Sequence, residues 1–88
     1  VALRAFLDGE RALRDARPSA AVAHFSAAVQ ADSLFALAWY RLARAAHWGD
    51  VDSLSREAAA RASALEASLP FRLQQVVRSY RALKFGAP

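Results

Sequence analysis

Two histidines, with the serines and carboxylates around them, are the residues of this chain that could do chemistry. His24 and His47 belong to different predicted helices, and the sequence holds no cysteine, so zinc has no usual ligand set. The chain contains no HExxH motif, no glycine-rich phosphate loop and no GxSxG nucleophile elbow. The carboxylates stand among arginines at helical spacing, as surface pairs do. We therefore expect no catalytic residues, no metal and no cofactor, and the protein is not predicted to be an enzyme.

Composition favours one small helical domain. Of the 88 residues, 56% are hydrophobic and 23% are charged, with only three glycines and three prolines. An apolar run long enough to cross a bilayer is absent from the sequence, so we expect no membrane insertion. The chain starts at Val1 without a signal-peptide pattern. We expect a piece of a longer, cytoplasmic protein.

The net charge of +4 comes entirely from the end of the chain. Acidic and basic side chains balance over residues 1–70, whereas residues 71–88 carry Arg72, Arg78, Arg81 and Lys84 with no acid. The high pI is thus a property of the last helix, and it is weak support for binding nucleic acid.

Apolar residues recur every three or four positions and predict five helices. These are residues 2–16, 19–31, 34–48, about 53–68 and 71–85. Pro18 and Pro70 separate neighbouring helices, and Gly49 is a natural stop for the third. Asp32 and Ser33 before the third helix, and Asp50, Asp52 and Ser53 before the fourth, are typical capping residues. No segment alternates like a strand, so the chain is predicted to be all-α, built of antiparallel helix hairpins.

The third predicted helix, within FALAWYRLARAAHWG, carries two different stripes. One is an apolar seam suited to packing, formed by Phe35, Trp39, Leu42, Ala43 and Ala46. The other is a mixed aromatic and basic stripe that could meet a partner, formed by Leu37, Tyr40, Arg44 and His47.

The helices repeat along the chain. A shift of 34 residues lays Ala5, Gly9 and Ala12 of the first helix onto Trp39, Ala43 and Ala46 of the third. In the following helices, Ala21-x3-Phe25-x2-Ala28 is matched by Ala58-x3-Ala62-x2-Leu65, a shift of 37. This alignment predicts that the Trp48–Ser53 turn is about three residues longer than its counterpart.

This pattern resembles the tetratricopeptide repeat (TPR), whose signature is W-x2-L-G-x2-Y, then A-x3-F, then P. The matching segments are Trp39-x2-Leu42-Ala43-x2-Ala46, Ala21-x3-Phe25 and Pro70, while Asp8, Ser33 and Ala62 depart from it. The resemblance implies a TPR-like α-solenoid, with repeat one at 2–35, repeat two at 36–72 and the first helix of a third at 71–85. Phe71, Ala82 and Phe85 would then await a missing helix, and we expect the native protein to continue past Pro88, with Gly86 as turn glycine.

By the same resemblance, the first helix of each repeat lines a concave groove for a protein or peptide partner. The implied partner-binding residues are Leu37, Tyr40, Arg44, His47, Gln74, Arg78 and Arg81, with Phe6, Glu10 and Leu13 as the contribution of the first helix. A groove of this composition suits an acidic or carboxylate-bearing peptide, not a small-molecule substrate. The two-carboxylate clamp of chaperone-binding members is not reproduced.

Two other functions stay open at this point. The chain is similar in texture to helical repeats of bacterial multidomain regulators, such as kinases, cyclase-like sensors and transcription activators, where it would be a structural spacer. The less favoured alternative is nucleic-acid binding through the basic last helix. Because Tyr80 falls on the apolar stripe of that helix, we expect it in the core and not stacked on a base.

Overall fold

The computed structural model describes residues 1–85, with side chains described as far as Tyr80, and the regular secondary structure of that part is all helical. The helices are α1 (Ala2–Arg14), α2 (Pro18–Ala31), α3 (Ala36–Trp48), α4 (Asp52–Ala64) and α5 (Phe71–Phe85), with a short 3₁₀ turn at Glu66–Ser68. The predicted all-α class is confirmed. None of the helices in the described range is long and apolar enough to cross a membrane. Gly86, predicted as a turn residue, lies outside the described residues.

Each helix packs mainly on its neighbours in the chain. Helices α1 and α2 form one hairpin, α3 and α4 form a second, α2 joins the two, and α5 packs against α4. The resulting body measures 30 × 26 × 19 Å. Order along the chain is therefore also order in space.

Alanines and a few aromatic rings make the core between the hairpins. Phe25 and Leu42 are its largest fully buried side chains. The ring of Phe6 lies 5.6 Å from that of Phe25 and 5.1 Å from that of Phe35, centroid to centroid. Small residues such as Gly9 let the helices approach closely enough for these rings to interlock.

Helices α1 and α3 each end in a turn, and the two turns have the same backbone conformation. In both, the first residue past the helix, Asp15 or Gly49, has φ −86° and ψ 9°. The next residue is left-handed, with φ 58° at Ala16 and φ 62° at Asp50. Arg17 N then donates to Ala12 O (2.9 Å), as Val51 N donates to Ala46 O (2.8 Å). This is the Schellman pattern, and it recurs at a spacing of 34 residues.

The predicted longer turn between the third and fourth helices is wrong. Since α2 begins at Pro18 and α4 at Asp52, the 34-residue spacing continues into the second helix of each hairpin. The buried residues Ala21, Phe25 and Ala28 are thus matched by Ser55, Ala59 and Ala62, which are also buried. The link between α4 and α5, residues 65–70, is longer than the link between α2 and α3, residues 32–35, and it contains the 3₁₀ turn, so α4 stops at Ala64 and not at residue 68.

The buried serine explains this shift of register. Ser55 Oγ donates to Ala43 O at 2.9 Å, which satisfies the hydroxyl inside the core. A pattern that treats serine as polar therefore leaves Ser55 out of the buried face of α4.

Side-chain capping of α3 and α4 differs from expectation. Neither N-cap makes a side-chain capping hydrogen bond, because Phe35 and Val51 occupy those positions. Asp32 Oδ1 instead accepts from Leu34 N at 3.0 Å, which forms a turn before the helix. Asp52 lies in the first turn of α4, where its negative charge favours the positive end of the helix dipole.

Candidate partner-binding groove

Helices α1, α3 and α5 together line a groove of about 960 Å³. The lining residues are Glu10, Leu13 and Arg14 from α1; Tyr40, Arg41, Arg44, His47 and Trp48 from α3; and Gln75, Val76, Ser79 and Tyr80 from α5. The first helix of each hairpin and the helix that follows the second hairpin thus meet at one concave surface.

An ion pair ties the α1 side of the groove to α3. Arg41 Nε lies 3.1 Å from Glu10 Oε1, although the angle falls outside hydrogen-bond geometry. Both side chains are about three-quarters buried, which reduces screening of the pair by water. The carboxylate of Glu10 is therefore matched within the protein.

Two further arginines in the groove have no such match. Arg14 and Arg44 are exposed, and neither forms an ion pair with any residue in the described part of the chain. The groove consequently has two uncompensated positive charges available to a ligand.

Tyr40 is buried beneath the charged side of the groove and contacts two of its arginines. Its side chain is buried, and the guanidinium carbons of Arg41 and Arg44 lie 5.7 Å and 5.9 Å from the centre of its ring. These distances fit cation–π attraction. The ring also makes an edge contact with that of Tyr80, with centroids 5.5 Å apart and planes at 89°. Tyr40 thus holds both arginines and the α5 side in place.

Tyr80 closes a polar junction between three helices. Its hydroxyl donates to Ala43 O at 3.2 Å, the same carbonyl that accepts from Ser55 on α4. Burial raises the pKa of Tyr80, with the nearby Tyr40 acting in the same direction; a hydrogen bond with Ser55 and the charge of Arg44 act in the opposite direction. The junction fixes where α5 meets α3 and α4.

Accessible apolar surface lies beside these charges. Trp48 is 53% exposed on α3 and Val76 is 42% exposed on α5, while Leu13 on α1 is half-buried. Gln75 and Ser79 supply uncharged polar groups next to Val76. The groove therefore presents apolar surface and positive charge side by side.

The predicted site residues divide into two groups. Tyr40, Arg44 and His47 do line the groove, and so do Glu10 and Leu13. The Nδ1 atom of His47 is inaccessible to solvent and has no hydrogen-bond partner among the described residues. Phe6, the other residue expected from the first helix, is buried in the core instead.

Leu37, Gln74 and Arg78, which the resemblance implies for the groove, are not among the residues that line it. Leu37 packs against the core. The amide of Gln74 donates to Leu69 O at 2.9 Å. Arg78 Nη2 lies 2.8 Å from Glu66 Oε1, and the hydrogen bond and charge of Glu66 raise the pKa of Arg78. The side chain of Arg81 lies outside the described ones.

The rotation of α5 about its axis explains why Gln74 and Arg78 do not line the groove. Among the side chains of this helix that the structure describes, Val77 is the buried one, and that places Gln75, Val76, Ser79 and Tyr80 on the groove side. These four recur at helical positions i, i+1, i+4 and i+5, a signal that the sequence did contain. Sequence reasoning also missed Arg14, Arg41 and Trp48.

Other kinds of site find little support in the described residues. No group of three or more histidines, aspartates or glutamates there could hold a metal ion. Compared with family models, with curated proteins and with solved structures, the chain matches none.

Proposed function

We propose that the chain is a TPR-like α-solenoid segment that acts as a non-catalytic scaffold, binding a segment of a partner protein in the groove of α1, α3 and α5. Three observations support this: the backbone recurrence at 34 residues, the packing of each helix on its chain neighbours, and a groove assembled from successive hairpins. Nearest-neighbour packing is how helical repeats build extended concave surfaces.

The observation that carries the proposal is that unpaired positive charges and exposed apolar surface lie together in the groove. Arg14 and Arg44 have no acidic partner among the described residues, and Trp48 lies beside them in the groove with half its surface exposed. A large aromatic ring and arginine are the side chains most often found at interface hot spots. The complementary partner carries carboxylates next to an apolar anchor.

The described part of α5 gives less support to nucleic-acid binding. Arg78 is already paired with Glu66, and the hydroxyl of Tyr80 is already bonded to Ala43 O. On the groove side, the described residues of α5 are uncharged. Phosphate binding would need an unpaired basic surface along this helix.

Selection from a random peptide library displayed on phage tests the proposal. We expect the immobilised protein to enrich peptides that combine acidic and large apolar residues. Arg44→Glu should weaken the binding of an enriched peptide at least tenfold, which corresponds to about 1.4 kcal/mol. Arg11→Glu is the matched control, since Arg11 is exposed on α1 and lies outside the groove. The proposal fails if no peptide is enriched, or if both variants weaken binding equally.

A further inference from the structure

We infer that the groove takes an amphipathic α-helix with acidic flanks, and not an extended peptide. This inference rests on the proposed function and names the form of the partner. It follows from three properties of the groove: the hydrogen bonding of its helical backbone, its volume, and the apolar and charged side chains that line it.

The backbone of the groove offers little to an extended chain. Every lining residue belongs to α1, α3 or α5. Peptide groups inside an α-helix are already hydrogen-bonded along the helix itself. An extended ligand bound by strand addition needs a row of free N–H and C=O groups, which helices do not present. A helical ligand meets its own backbone requirements before it binds.

The size of the groove suits a helix lying half inside it. A helix with its side chains is about 10 Å wide, so a half-embedded one fills 960 Å³ over about 24 Å, or roughly 16 residues. The molecule measures 30 × 26 Å in its two longer directions. A partner helix of about four turns is therefore no longer than the protein itself.

The groove side chains match the two faces of such a helix. Leu13, Trp48 and Val76 come from three different helices and give apolar contacts, suited to a stripe at positions i, i+3, i+4 and i+7. The free charges of Arg14 and Arg44 lie in the same groove, where they would meet aspartates or glutamates flanking that stripe. The charge of the groove thus selects an acidic helix.

Two display libraries of equal length, about 16 residues, test the inference. One holds an alanine-rich helical frame and varies the stripe and its flanks; the other holds prolines that prevent a helix and varies the same number of positions. We expect enrichment from the helical library, with acidic flanking residues. Enrichment from the proline library alone would overturn the inference while leaving the proposed function in place. Enrichment from neither library would overturn both.

The enriched helical peptide then serves as the probe for location and form. Replacing two of its central, non-contacting residues by proline should weaken binding at least a hundredfold, because proline disrupts a helix interior. Arg44→Glu in the protein should weaken binding at least tenfold, and Arg11→Glu should not. Binding that tolerates the prolines, or that ignores Arg44→Glu, contradicts the inference. If no peptide is enriched and single-stranded oligo-dT binds in a way that depends on Arg44, the inference is wrong and the ligand of the groove is a nucleic acid.

Discussion

At the scale of single residues, Gly9 packs directly against the ring of Phe25. A Cβ atom placed on Gly9 would lie 2.6 Å from Cε1 of Phe25, and two more ring atoms lie within 2.9 Å. Phe25 is fully buried, so its ring has no solvent side to move toward. In the second hairpin the matching positions hold Ala43 and Ala59, a larger residue on the first helix with a smaller one on the second. The two hairpins thus divide the available space differently.

Gly9→Ala should destabilise the protein. Overpacking a tight core costs about 1–3 kcal/mol, against a gain of about 1 kcal/mol in helix propensity. Urea unfolding followed by circular dichroism measures the net loss. Adding Phe25→Leu should restore part of it by making room for the new methyl group. Gly49→Ala is the control, because the nearest atom to its new Cβ is 3.4 Å away. A Gly9→Ala protein more stable than the wild type would contradict this contact.

Because of Tyr80, the stability of the protein should fall as pH rises in the alkaline range. Tyr80→Phe removes the hydrogen bond to Ala43 O and should cost about 0.5–1.5 kcal/mol near neutral pH. Because burial raises the pKa of Tyr80, the native state keeps the phenolic proton longer than the unfolded chain does. This stabilisation is complete below the ordinary pKa of about 10 and is lost as pH rises through the folded-state pKa.

Urea midpoints at about pH 8 and about pH 10.5 test this dependence, since the two values lie on either side of the ordinary tyrosine pKa. The gap between wild type and Tyr80→Phe should narrow at the higher pH. A gap that stays constant or widens would show that the Tyr80 hydroxyl is not held in the junction.

At the scale of elements, the ends of α1 and α3 carry a shared backbone strain. Ala16 and Asp50 both adopt left-handed φ values, which cost an L-residue roughly 1–2 kcal/mol. Aspartate tolerates this conformation better than alanine does. Gly49, the expected stop, lies one residue before the left-handed position and has an ordinary φ.

Ala16→Gly should therefore stabilise the protein by about 1 kcal/mol, since glycine adopts positive φ without a steric penalty. The same exchange at Ala27, an exposed position within α2, should destabilise by a similar amount through lower helix propensity. Thermal unfolding of both variants gives the comparison. Two variants that shift the melting temperature in the same direction would rule out the left-handed turn at Ala16.

Helix positions were predictable from the sequence, and the face that each helix buries was less so. Periodicity and the prolines placed all five helices within a few residues of their observed bounds. In α4 the many alanines permit two alignments with α2, and the burial of Ser55, which donates a hydrogen bond to Ala43 O, distinguishes them. The hydroxyl partner lies on another helix, and no local pattern contains it.

The same limit explains the outcome for the groove. The resemblance named the helices that line it and three of its residues on α3, but Gln74 and Arg78, which it also implied, are not among the lining residues of α5. The rotation of α5 follows from burial of Val77 and from the pairing of Arg78 with Glu66. These are contacts between helices that sequence spacing does not specify.

At the scale of the whole molecule, the two tryptophans lie in different places, one in the packing between helices and the other in the groove. The indole nitrogen of Trp39 donates to Ser33 O at 2.8 Å, and the guanidinium of Arg61 lies 5.6 Å from its ring centre. Trp48 lies in the groove and is 53% exposed. One indole thus reports on the fold and the other on the proposed site.

An NMR titration of the labelled protein with a library-selected peptide tests the central claim most directly. The two indole N–H resonances are assigned beforehand with Trp48→Phe. If the partner occupies the groove of α1, α3 and α5, the Trp48 resonance should shift with peptide concentration while the Trp39 resonance stays in place. A shift of Trp39 with an unchanged Trp48 would place the partner away from the groove and contradict the proposed function.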